Sequence, residues 1–140
     1  DGLLAFTPAD ELLGLGMLSS DAVPNSGVAY GLSKRANQLR VRAASLTWGE
    51  RGARVNSISP GIILTALARD ELAGPRKPIF EAMINACSAG RVGTADEVAA
   101  VTAFLLGPEA GFITGSDFLM DGGVTAAWRF GDLAQPAVQP

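Results

Sequence analysis

The chain has 140 residues, 48% of them apolar, with 11 basic residues against 14 acidic ones and a formal charge of −3. That is about one domain's length with enough apolar material for a core, and it excludes a disordered chain. The sequence has no Lys/Arg-rich run to track a nucleic acid, no histidine for His-based acid/base or hydrolytic chemistry, and a single cysteine, Cys87, too few for an internal disulfide or a cysteine zinc site.

Thr7-Pro8-Ala9-Asp10 predicts the start of a short helix, with Thr7 as cap and Pro8 at the first helical position. Gly14 and Gly16 interrupt it, and residues 19–27 read as a loop. From about Val28 to Trp48 the pattern is helical: Leu32, Ala36, Leu39, Ala43 and Leu46 form one apolar stripe. Arg54 to Ser59 predicts a short extended segment, closed by the turn signal Pro60-Gly61. Two helices follow, Ala66–Ala73 and Ile79–Ala86, split by Gly74-Pro75-Arg76-Lys77-Pro78. Thr94-Ala95-Asp96-Glu97 is a capping box that starts another helix, ended by Gly107-Pro108. Phe112 to Asp121 reads as a strand closed by Gly122-Gly123, and the stretch from Gly131 to Pro140 reads as loose. The longest apolar candidate, Val98 to Leu106, is far shorter than the roughly 18 residues a membrane helix needs. The first residues show no signal-peptide pattern, so the default expectation is a cytoplasmic protein.

Strands alternating with helices indicate an α/β protein with a parallel sheet. Two strands are too few for an independent sheet, so the chain reads as the C-terminal half of a Rossmann-like, doubly wound parallel sheet domain. Residues 1–27 form a helical and loop segment resembling an insertion, 28–123 the half-domain, and 124–140 a C-terminal tail.

Tyr30 and Lys34 are the chemically suggestive pair. Four residues apart on a helix, they share one face; Tyr30 is the chain's one tyrosine. A free phenol titrates near pH ~10 and is a poor base at neutrality. A neighbouring ammonium favours the phenolate; lowering a phenol by ~3 units takes about 4 kcal/mol of differential interaction. A phenol tuned in this way gives a proton to a carbonyl oxygen or takes one from an alcohol. The bland alternative is a surface contact worth a few tenths of a kcal/mol.

From about Val28 to Gly123 the sequence resembles the short-chain dehydrogenase/reductase family. The resemblance is carried by Tyr30-Gly31-Leu32-Ser33-Lys34, then Arg54-Val55-Asn56-Ser57-Ile58-Ser59-Pro60-Gly61 running on to Thr65. Gly90-Arg91-Val92-Gly93-Thr94 with Asp96-Glu97-Val98-Ala99, Ile113-Thr114-Gly115 and Asp121-Gly122-Gly123 complete it. The resemblance implies an NAD- or NADP-dependent oxidoreductase that interconverts a small-molecule carbonyl and alcohol, with no metal. It casts Tyr30 as catalytic acid/base and Lys34 as the group that tunes it and bonds the nicotinamide ribose. Pro60, Gly61, Ile63 and Thr65 would line the nicotinamide, Ile63 through its backbone. Residues 65–90 would form the substrate-binding region, Asn56 would be structural, and the 28–48 helix would carry a homo-oligomer contact. No nucleic-acid or membrane partner is expected.

The pattern departs from the family at two points. No glycine-rich phosphate-binding turn follows a strand, so NAD and NADP are not distinguished and the chain reads as a portion that does not act alone. The family's catalytic serine stands about thirteen residues before the tyrosine, which here is Met17. Ser19 and Ser20 lie nearby, but no β-rich run precedes them; the alternative places that serine ahead of Asp1. The rival reading is a non-catalytic assembly module on the same fold. The substrate is not legible from the residues.

Overall fold

In the computed structural model, which describes residues 1–133, the chain falls into two units. Asp1–Ser57 with Gly111–Asp117 form the first; Ile58–Ala110 and the residues from Phe118 on form the second.

In the first unit, helix α1 (Gly2–Phe6) packs on the long helix α2 (Ser26–Gly49). Asn25 starts α2: its side-chain oxygen accepts the Val28 N–H at 3.0 Å, satisfying one of the donors that a helix start leaves open. Leu4, Ala36 and Leu39 are buried together, with Ala5 and Leu18 against them. The expected stripe is thus buried in its middle and open at its end, where Leu46 is 70% exposed. Helix α1 stops because Thr7 precedes a proline, which disfavours helical backbone there; Thr7 is extended at ψ 131°. Arg40 supplies the missing donors, giving Nη1 hydrogen bonds to Leu4 O at 3.3 Å and Thr7 O at 2.7 Å. The helix expected from Thr7 onward does not form. Two 3₁₀ turns, Leu12–Gly14 and Gly16–Leu18, stand in its place, with Leu15 extended between them. A glycine costs about 1 kcal/mol in a helix interior, and here two flank one residue.

Strands β1 (Ser57–Pro60) and β2 (Asp117–Met120) pair in parallel, in the register set by Ser57 N–H to Ser116 O at 2.9 Å and Gly61 N–H to Met120 O at 3.2 Å. Their first residues belong to the first unit and the rest to the second. Asn56 fixes the entry to the ladder. Its Nδ2 donates to Ile113 O at 3.0 Å and its Oδ1 accepts the Ser116 N–H at 3.1 Å. Both strands are shorter than the runs expected from sequence, because the residues before them bond to side chains and turns instead.

The second unit adds α3 (Ala66–Ala73), α4 (Lys77–Ala86), α5 (Ala95–Leu106) and α6 (Val124–Phe130). Helix α4 begins two residues earlier than Ile79, with Pro78 tolerated in its first turn. The capping box at Thr94 and Glu97 is present with both of its hydrogen bonds. Helix α6 lies in the stretch assigned from sequence to the tail. Its start is hidden in Asp121-Gly122-Gly123: the glycines take φ +65° and +95°, and the Asp121 carboxylate accepts the Gly123 and Thr125 N–H groups at 2.9 and 2.7 Å. Val124 and Ala127 face inward. The remainder of the loose stretch, 134–140, lies outside the described residues.

Candidate functional site

The first unit holds Tyr30 and Lys34, one turn apart near the start of α2. Lys34 Nζ lies 5.2 Å from the centroid of the Tyr30 ring, within cation–π range. Tyr30 is 65% exposed. Neither its hydroxyl nor the Lys34 ammonium has a hydrogen-bonding or carboxylate partner among the described residues. One phenol and a cation with three N–H donors thus stand together on an open helix face. Ser19 and Ser20 follow a 3₁₀ turn rather than a strand, and the Ser19 hydroxyl accepts the Ala22 N–H at 3.4 Å, so that segment has a turn's geometry.

The second unit holds Pro60, Gly61, Ile63 and Thr65 at the carboxyl end of β1, where open α/β sheets bind ligands. Gly61 is needed for a close approach: a Cβ there would lie 2.7 Å from the Asp121 Cα. Ile63 pairs in parallel with Gly93, through Leu64 N–H to Gly93 O and Gly93 N–H to Ile62 O, both 2.9 Å. That pattern uses the groups on either side of Ile63. Its own N–H and C=O make no hydrogen bond among the described residues. Thr65 caps α3, its hydroxyl oxygen accepting the Ala68 N–H at 3.2 Å; the hydroxyl proton is left to donate. Gly61, Ile62 and Ile63 also form part of the wall of a cavity of about 220 Å³.

The charged side chains of the cavity wall, Arg91, Glu97 and Asp121, are held by hydrogen bonds. Arg91 grips Glu97 at both oxygens, Nη1 to Oε2 at 3.0 Å and Nη2 to Oε1 at 2.6 Å. This hydrogen bonding, with the Thr94 N–H, holds the Glu97 carboxyl down to about 2 and raises the Arg91 guanidinium. At Asp121 burial pushes the carboxyl up, but the Thr125 hydroxyl and the N–H groups of Thr125 and Gly123 outweigh it, and the net shift is down. In the sequence Glu97 is legible as a capping residue, but its pairing with Arg91 is not. Six residues separate them, across a turn whose course only the fold defines.

Among the described residues no group of His, Cys, Asp and Glu side chains could hold a metal, and no helix is long and apolar enough to cross a membrane.

The parallel strand pair and the helices around it make a partial Rossmann-like α/β domain. A family profile described as Enoyl-(Acyl carrier protein) reductase matches residues 6–125, which takes in most of the segment ahead of Val28. The chain is 45% identical over 123 residues to "Short-chain dehydrogenase/reductase bsc3" of Alternaria brassicicola, covering 88% of this chain and 44% of that protein. It is 34% identical over 119 residues to "Galactitol 2-dehydrogenase (L-tagatose-forming)" of Cereibacter sphaeroides, covering 84% and 46%. The solved 3-alpha-hydroxysteroid dehydrogenase from Pseudomonas sp. B-0831, complexed with NADH, superposes with a TM-score of 0.67 at 37% identity, over 75% of this chain and 41% of that one. The chain belongs to the short-chain dehydrogenase/reductase family, and it spans less than half the length of these relatives.

Proposed function

We propose that this chain supplies the proton-transfer and nicotinamide-contacting part of an NAD- or NADP-dependent oxidoreductase that interconverts a carbonyl and an alcohol. The observation that carries the reading is the phenol of Tyr30 with the Lys34 ammonium 5.2 Å from its ring, both without other partners among the described residues. In this role Tyr30 Oη gives a proton to the carbonyl oxygen or takes it from the alcohol. Lys34 donates to the hydroxyls of the nicotinamide ribose and keeps positive charge beside the phenol. The free N–H and C=O of Ile63 match the acceptor and donor of a carboxamide, and Thr65 has a hydroxyl proton to offer. Pro60 and Gly61 let a flat ring come close to the backbone. Taken one by one, these donors and acceptors match groups of the nicotinamide end of the cofactor. Hydride transfer is the chemistry that a bound nicotinamide supplies. The pyrophosphate end calls for a glycine-rich turn, which the sequence lacks, so the activity belongs to a protein in which that half is also present.

Tyr30→Phe in such a protein tests the reading. Turnover is expected to fall by about 10²–10⁴-fold, the range for a lost general acid, with fold and assembly unchanged. Unaltered turnover would remove Tyr30 from the mechanism.

The exposed end of α2 favours a second reading, an assembly surface, because Leu46 is 70% and Trp48 47% exposed. A self-associating chain that Leu46→Glu turns into a monomer supports that reading; a chain monomeric at all concentrations excludes it.

A further inference from the structure

We infer that the cavity of the second unit takes the carbon skeleton of the substrate, and that this skeleton is apolar, uncharged and ring-sized; this rests on the proposed place of Gly61–Thr65 beside the nicotinamide. Ile62, Ile63, Met83, Ile84, Met120 and Val124 supply apolar wall to a space of about 220 Å³. An apolar cavity of about 150 Å³ accepts benzene, while sites for drug-sized ligands run to roughly 300–1,000 Å³. One ring, or a compact pair, fits the size.

Apart from the Ile63 N–H and C=O, which the proposed carboxamide contact takes, the polar side chains and most N–H groups of the wall are already engaged. Arg91 and Glu97 hold each other at 2.6 and 3.0 Å. Asp121 accepts two backbone N–H groups, and the Cys87 thiol donates to Ile84 O at 3.2 Å. The N–H groups of Gly61, Ala89 and Gly93 go to Met120 O, Gly122 O and Ile62 O. A polyol entering this space gives up its water and finds few open partners, which is unfavourable. A hydrocarbon ring gives up nothing and is driven in from water. The relatives' names include a sugar alcohol and a steroid; the chemistry of this wall selects the ring.

Cys87 reports occupancy, since it lines the cavity, is 6% exposed and is the chain's one thiol. The experiment follows modification of Cys87 by methyl methanethiosulfonate on the full chain, with no nicotinamide present, in cyclohexanol or in sorbitol. Cyclohexanol is expected to slow the reaction saturably, by about tenfold at ten times its Kd, with sorbitol inert. Ile84→Trp, which fills the space, is expected to abolish the protection. Should that variant fail to fold, saturation-transfer NMR on the native chain gives the second readout, with signal expected on cyclohexanol and none on sorbitol. Equal rates with and without cyclohexanol, or equal protection by sorbitol, overturn the inference. Because no cofactor enters the assay, that failure leaves the Tyr30→Phe result untouched, and the converse also holds.

Discussion

Gly61 and Gly93 show how the same missing carbon carries different weight. A Cβ at Gly61 meets Asp121 backbone atoms, the nearest at 2.7 Å, and these are fixed by the strand pairing. A Cβ at Gly93 meets the tip of the Ile63 side chain at 2.7 Å, and that tip can rotate away. Gly61→Ala is therefore expected to destabilise by about 1–3 kcal/mol, the cost of overpacking, and Gly93→Ala by clearly less; denaturant midpoints of the two variants check the order. Glu97 makes a pH prediction. Its carboxyl is held at about 2 against an ordinary value of 4.5. A lowered folded-state value means the carboxylate's contribution is present above the ordinary value and is lost as pH falls toward the folded one. The wild-type melting temperature should fall through that window, whereas Glu97→Gln should melt lower at neutral pH and show a flatter acid limb. At this scale the sequence marked the residue types well. It could not show what each touches, because Arg91 reaches Glu97 only after the intervening turn has formed.

At the scale of elements, legibility followed how local the cause was. Helix α5 was readable because its cap and its apolar spacing lie within one stretch, Thr94 to Leu105. Helix α2 was readable from its apolar spacing alone; its Asn25 cap lies in a stretch that reads as loop. Helix α6 was not: its start is a pair of left-handed glycines held by Asp121, which reads as a turn, and its seven residues are kept by packing of Val124 and Ala127. The N-terminal helix was misplaced because Pro8, read as a start, also ends what precedes it, and the closing donors come from Arg40, more than thirty residues away. Asn56 is the long-range feature with the sharpest consequence. Asn56→Ala strips the half-buried Ser116 N–H of its partner and leaves Ile113 O to the Arg54 guanidinium alone, at about 1–3 kcal/mol for a group left unsatisfied. Chemical denaturation should show that loss, and Asn56→Asp, which keeps the acceptor, should recover part of it.

For the molecule as a whole, a phenol–ammonium pair and the open main-chain groups of Ile63 are present without the phosphate cradle that gives dinucleotides much of their hold. The chain by itself is therefore expected to show no saturable binding of NADH or NADPH at micromolar concentration, as followed by nicotinamide fluorescence; micromolar affinity would contradict this. The family was legible from sequence because its marks recur in order along the chain. The substrate was not, since one fold serves many substrates and the wall of the cavity proposed to hold it is gathered from three separate stretches of sequence, 61–63, 83–97 and 120–124. The two strands have a further consequence. Each has four residues, about 13 Å of ladder at the usual rise, and among the described residues each outer edge faces no third strand. Edges so brief make poor templates for indiscriminate stacking into fibres, yet they retain the main-chain groups that a companion strand of matching register would recognise.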